Sequence, residues 1–269
     1  MGERTTADRA LLEQLLLRAQ SALVVAVSGG IDSLTLATLA FRLRGPGFSP
    51  SFCFADGAAV PRAARERVHA VARTQGWGDA LVVVDAGEVQ DPAYARNPVD
   101  RCYHCKSHLF VAVAAAFPGA TICTGANLDD VSDYRPGRVA ARERQVQEPF
   151  IAAGYTKDDV RALARSLGLG SLSELPASPC LSSRIETGVV IDPALLAVVD
   201  TVEERVRELG AKVVRCRVRK DKVVVEHDGV VGDPDVIAVV APVLSHHDIA
   251  LPVQTAPYAK GSAFLRVIP

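Results

Sequence analysis

Apolar residues recur along this chain with two periods, and the period changes near residue 190. Ala22 to Val27 is a continuous apolar, β-branched run that predicts a strand buried on both faces. Further strands are predicted at Ser51 to Ala55, Ala80 to Val84 and Ala120 to Thr124. Between them the spacing is helical. Leu11, Leu12, Leu15 and Leu16 form one stripe of a helix over 6–20. Leu34, Leu36, Ala37 and Ala40 share a face of a helix beginning near Ser33, and a third helix runs from about Pro61. Leu109, Phe110 and Val113 mark a fourth, and Thr156 with Asp159 forms a capping box for a helix over 157–167. Strands alternating with helices predict an α/β fold built on a doubly wound parallel sheet with right-handed crossovers. From Asp192 the order differs: a helix over 193–209, a hairpin of Lys212 to Arg219 and Lys222 to His227 turning at Lys220-Asp221, a helix near 234–244, and a strand near 263–268. The predicted organisation is a domain over 1–190 and a smaller α+β domain over 191–269.

Composition narrows the classes. The chain has 269 residues, 49% of them hydrophobic, which is enough for a sizeable core. Its formal net charge is −1, which argues against a broad nucleic-acid footprint. No N-terminal apolar segment of the signal type and no run long enough to span a bilayer is evident, so a cytoplasmic protein with no membrane partner is expected. In a cytosolic chain of this length, as expected here, the six cysteines do not read as a disulfide framework. Cys53, Cys123 and Cys216 fall within strand-like runs and read as small buried hydrophobes.

The chemistry concentrates where the first strand ends. Ser28-Gly29-Gly30-Ile31-Asp32-Ser33 joins a buried strand to a helix. Two glycines let backbone approach a ligand, and successive N–H groups at a helix N-terminus form an anion site to which Ser28 and Ser33 add hydroxyls. Asp32 would repel phosphate unless Mg²⁺ lies between them, so it is a metal-side candidate. Neither G-x-x-x-x-G-K-[ST] nor G-x-G-x-x-G is present. A glycine turn with a serine cap is the plain alternative, but the hexad matches SGGxDS, the signature of the ATP pyrophosphatase (PP-loop) superfamily. Members of that superfamily hold the β,γ-phosphates on the loop and cut ATP between α and β.

Other groups gather at the predicted strand ends. Asp56 follows the second strand, and Gly125-Ala126-Asn127-Leu128-Asp129-Asp130 follows the fourth. Asp129 and Asp130 read equally as turn caps or as Mg²⁺ or ribose contacts. Cys102 and Cys105 are three apart on one helix face, near an N-terminus that favours thiolate. Half a zinc site, a redox pair and two cluster ligands all remain open for them. Pro176 and Pro179 predict an extended loop around Cys180, where Arg184 would lower the thiol pKa and bind anions. Lys157 could point at phosphates but reads by default as a surface lysine, and His246-His247 reads as a surface pair.

Taken together, SGGIDS, NPVDRCYHCK, TGANLDDVSDYRPG and PCLSSRIETG, in that order, resemble the LarE sulfur-transferase family over most of residues 20–190. The resemblance implies a PP-loop, Rossmann-like fold and an enzyme that uses ATP and Mg²⁺ to adenylate a carboxylate of pyridinium-3,5-biscarboxylic acid mononucleotide. A thiocarboxylate for the nickel-pincer nucleotide cofactor then forms, with release of AMP and pyrophosphate. It implies a small-molecule nucleotide substrate and a homo-oligomer. By position, Ser28, Gly29, Gly30, Asp32 and Ser33 would bind pyrophosphate and Mg²⁺. Asp56 and Gly125 would flank adenosine, with Asn127 and the Mg²⁺ candidate Asp130 nearby. Ser183 and Arg184 would meet phosphate, with Arg135 a weaker candidate. The family supplies sulfur either from the loop cysteine, here Cys180, which ends as dehydroalanine, or from a 4Fe-4S cluster. The three-cysteine pattern of Cys102, Cys105 and Cys180 implies the cluster type. Three other readings stay open: a tRNA-thiolating enzyme, an amide-forming PP-loop ligase and a nucleotide sensor.

Overall fold

A computed structural model describes residues 6–18, 22–131, 135–176 and 178–259. The helices are α1 (Thr6–Leu17), α2 (Ile31–Arg42), α3 (Arg62–Gln75), α4 (Pro92–Ala95), α5 (Arg101–Ala116), α6 (Pro136–Glu143), α7 (Pro149–Ala152), α8 (Lys157–Ser166), α9 (Pro193–Glu208) and α10 (Asp233–His246). The strands are β1 (Leu23–Val27), β2 (Ser51–Ala55), β3 (Leu81–Val84), β4 (Thr121–Cys123), β5 (Val214–Val218), β6 (Val223–His227) and β7 (Val253–Pro257). The chain divides into two compact units: residues 1–57, 63–88 and 102–178, and residues 58–62, 89–101 and 179–269.

In the first unit four strands run parallel in the order β3-β2-β1-β4 and are flanked by helices, as an α/β doubly wound sheet requires. All five residues of β1 are buried, which is the pattern of a central parallel strand. β3 lies at the edge, with Val82 and Val83 exposed. Phe110 and Val113 of α5 and Ala140 and Ala141 of α6 cluster with Val24, Cys53 and Ile122 of the sheet. The strand order places β2 and β3 on one side of β1 and β4 on the other. The order therefore reverses between β1 and β4, and sheets of this kind bind ligands beyond the carboxyl ends of the strands at such a switch point.

The second unit holds a three-stranded mixed sheet, β5-β6-β7, with β5 antiparallel and β7 parallel to β6. Val199, Val202 and Val206 of α9 and Val236, Val240 and Leu244 of α10 are buried in it. The hairpin at Lys220-Asp221 forms as predicted, whereas the strand predicted near 263–268 lies outside the described residues. The sequence pattern did not signal β7, because its five residues alternate weakly and include Pro257 at the end. Among the described residues no helix is long and apolar enough to cross a membrane.

Candidate functional site

The loop after β1 is closed by its own side chains. Gly29 has φ +77°, and a Cβ there would lie 2.7 Å from the Ala64 carbonyl oxygen of α3. Both facts require glycine. The Ser33 hydroxyl donates to the Gly30 carbonyl (3.0 Å) and accepts from the Ser28 N–H (3.1 Å). With that proton committed, Ser28 Oγ, 3.2 Å away, is the donor to Ser33 Oγ. Ser33 is buried, so it braces the loop from behind, and the exposed Ser28 carries the accessible hydroxyl. Arg67 donates to the Gly29 carbonyl at 2.7 Å. Gly30 caps α2 with extended backbone and no side-chain cap, so the first N–H groups of the helix are left for an anion.

Gly125 approaches the loop from the β4 side. A Cβ on it would sit 2.7 Å from both the Asp32 carbonyl carbon and the Ser33 nitrogen. Its role is the close approach of two backbones at the switch point. Asn127 and Asp130 behave as caps. The Asn127 side chain accepts from the Asp129 N–H (3.0 Å), and Asp130 Oδ2 accepts from the Asn127 N–H (3.1 Å), a capping box on the 3-10 turn Leu128–Asp130. Asp130 Oδ1 takes Arg135 at 2.8 Å. Both oxygens of this Mg²⁺ candidate are therefore engaged by the protein. Asp56, at the end of β2, takes Arg65 Nε on both oxygens at 2.7 Å.

Lys157 overturns its surface reading. Its ammonium donates to both oxygens of Asp32, at 2.8 and 2.6 Å, across 125 residues of sequence. Burial holds the Asp32 carboxyl above the usual range, and the charge of Asp130 adds to this, against the pull of Lys157 and Arg161. One turn along α8 from Lys157, Arg161 has a buried Nε with no hydrogen-bond partner among the described residues. The sequence offered Lys157, at the head of α8, as a group that could point at phosphates, but gave no sign of Asp32. A Mg²⁺ ion carried by a nucleotide needs one or two carboxylates beside the phosphates, and Asp32 at the first turn of α2 meets that need.

The loop bearing Cys180 belongs to the second unit and is not simply extended. Leu181–Arg184 forms a 3-10 turn, tied by the Leu181 N–H to the Ala59 carbonyl (2.8 Å) and by the Ser182 hydroxyl to Tyr94 Oη (2.5 Å). Arg184, expected to meet phosphate, is buried and committed elsewhere. Its Nε and one terminal nitrogen pair with the two oxygens of Glu203 (2.8 and 3.1 Å). The other nitrogen donates to the Pro179 and Cys180 carbonyls and to Ser183 Oγ (2.6, 2.9 and 3.0 Å). Ser183 Oγ donates to the Cys180 carbonyl at 2.7 Å. Both residues thus shape the cysteine loop, because an Arg without solvent is stable only beside a carboxylate and full acceptors. Glu203 also accepts from Arg207 and from the Cys216 N–H; against the upward push of burial, the charge and hydrogen bond of Arg184, then the charges of Arg207 and Arg215, hold its carboxyl below the usual range. Asn97, buried with φ +55°, donates to the Ile185, Glu186 and Val189 carbonyls and fixes the chain after the turn.

Cys102 and Cys105 lie half-buried on the first turns of α5 in the first unit, and Cys180 is half-buried in the second. Among the described residues, no group of three or more His, Cys, Asp or Glu side chains is placed to hold a metal ion. The 4Fe-4S cluster implied for Cys102, Cys105 and Cys180 is thus left without support among the described residues. Cys53, Cys123 and Cys216 are buried as predicted; burial pushes the Cys53 thiol up to about 11 and the Cys123 thiol to about 12.

No family model matches the chain. Among curated proteins it is 36% identical over 198 residues to the uncharacterized protein slr1717 of Synechocystis sp., covering 72% of each chain. It is 29% identical over 205 residues to the pyridinium-3,5-bisthiocarboxylic acid mononucleotide synthase of Lactiplantibacillus plantarum, covering 73% of this chain and 71% of that one. It is 25% identical over 208 residues to the uncharacterized protein MJ0830 of Methanocaldococcus jannaschii, covering 76% and 77%. With a phosphate-loop corner at the switch point of its sheet and these likenesses over most of its length, the chain belongs to the LarE family.

Proposed function

We propose that this chain is an ATP-dependent sulfur transferase that adenylates a carboxylate of pyridinium-3,5-biscarboxylic acid mononucleotide and converts it to a thiocarboxylate. The likeness to the mononucleotide synthase supports the reaction class. One geometric observation carries the ATP half: the uncapped start of α2 behind Gly29 and Gly30, with the Asp32–Lys157 pair beside it. The loop N–H groups and Ser28 hold the β,γ-phosphates, and Asp32 would hold the Mg²⁺ carried by the nucleotide, which would supply charge screening for the triphosphate. The carboxylate oxygen attacks the α-phosphorus and pyrophosphate leaves. Cys180, fixed by Arg184 and Ser183, then attacks the acyl carbon and AMP leaves. Loss of the Cys180 Cα proton with cleavage of its Cβ–S bond releases the thiocarboxylate. The three-cysteine cluster route rests on the sequence pattern alone. A cytoplasmic homo-oligomer, as the resemblance to the family implies, is part of the same proposal.

The test is incubation with ATP, Mg²⁺ and the biscarboxylic mononucleotide, with product analysis and intact protein mass. AMP, pyrophosphate and a thiocarboxylate product are expected, with protein mass lower by about 34 mass units, the H₂S lost when a cysteine becomes dehydroalanine. Inorganic phosphate in place of pyrophosphate would sink the ATP half. An unchanged mass over repeated turnovers would transfer the sulfur role from Cys180 to an external or cluster-held sulfide.

A further inference from the structure

Lys157 occupies a carboxylate suited to the nucleotide's metal. Asp32 sits in the first turn of α2, three-quarters buried as a side chain, and both its oxygens are held by a single ammonium group. Mg²⁺ arriving alone would have to displace an internal cation and give up part of its own hydration, with nothing to compensate Lys157. A triphosphate changes that balance. It brings four negative charges to the loop at Ser28–Gly30, beside the α8 face that carries both Lys157 and Arg161, where the Arg161 Nε has no partner among the described residues. The lysine stem is flexible and its ammonium is a point charge, so it can turn from carboxylate to phosphate without moving the helix.

We propose, resting on the ATP-binding part of the proposed function, that Lys157 is an exchangeable counter-ion. It occupies Asp32 while the nucleotide is absent and passes to the triphosphate when ATP binds, freeing Asp32 for Mg²⁺. Metal and nucleotide then bind cooperatively, because each vacates or fills the site the other needs. By linkage the same factor appears in both affinities. The exchange makes Lys157 a positioning residue for the metal and a direct contact for the phosphates. No bond is made or broken in it, and charge is conserved at every stage.

Binding measurements on the full chain test this without any turnover. In nucleotide-free protein, Lys157→Met is expected to raise Mn²⁺ affinity, read by electron spin resonance, at least tenfold over wild type. In metal-free buffer the same variant should lose at least tenfold in ATP affinity, read by calorimetry. The double variant Lys157→Met with Asp32→Asn should return Mn²⁺ binding to the wild-type level. Lys157→Gln, which keeps a donor toward Asp32, carries the same two measurements should the Met variant fail to fold, with smaller shifts in the same directions. Unchanged Mn²⁺ affinity in the folded variant overturns the exchange, as does unchanged ATP affinity. Either result leaves the sulfur-transfer reading intact. Conversely, wild-type protein that binds ATP and shows these shifts but yields no thiocarboxylate keeps the exchange and sinks that reading.

Discussion

Gly29 has neither the dihedral nor the space for a side chain, and these are separate penalties. A β-carbon at φ +77° costs about 1–3 kcal/mol of strain. Moving the Ala64 carbonyl, 2.7 Å from that carbon, adds a comparable overpacking cost. Gly29→Ala is therefore expected to lower the denaturant midpoint and to weaken ATP binding at least tenfold, by chemical unfolding and calorimetry. Glu88, buried just after β3, responds to pH. Burial raises its carboxyl above the usual range, and the charge of Asp85 adds to this. A raised acid favours the folded state below its unfolded pKa, and that contribution is lost as pH rises through the folded value. Glu88→Gln removes the ionisation. Its melting temperature relative to wild type is expected to climb between pH 4.5 and pH 8; a constant difference would show that Glu88 is not penalised on ionising. Glycine need and thiol burial were legible residue by residue, from the strand-turn-helix pattern and from apolar neighbours. The roles of Ser33, Asn127 and Arg184 were not, since a hydroxyl, an amide or a guanidinium reads the same in sequence whether it faces a ligand or the protein's own backbone.

At the scale of elements, most boundaries followed from local signals. The capping box of Thr156 and Asp159 forms at the head of α8, and the buried run of β1 ends where the glycines begin. The turn Leu181–Arg184 escaped notice because proline spacing suggests extension, whereas its geometry is imposed by α9 through Glu203. That ion pair sets a clear expectation. Glu203→Gln leaves Arg184 buried beside a neutral partner and should cost about 3–5 kcal/mol, measured by denaturant unfolding. Its carboxyl is held below the usual range in the folded state, so its stabilisation is full above the unfolded carboxylate pKa and is lost as pH falls through the lowered folded value. Wild-type stability should therefore drop steeply under acid, and the Gln variant should drop less.

Across the whole molecule the six cysteines sort into two classes. Cys53, Cys123 and Cys216 are buried, with thiols held neutral by burial, and Cys102, Cys105 and Cys180 are half-buried. Alkylation of the native chain at pH 8, mapped by mass, is expected to modify the second class and spare the first. Labelling of Cys53 or Cys216 at a comparable rate would contradict the burial. The sequence by itself determined the alternating strands and helices, the loop Ser28–Ser33 and the inert thiols, because each depends on residues within a few positions of one another. Only the tertiary structure decided that Asp32 meets Lys157, that Gly125 touches the backbone of α2, and that Arg184 turns inward to Glu203. Those pairings depend on strand order and helix placement, which bring together groups up to 125 residues apart that no local spacing connects.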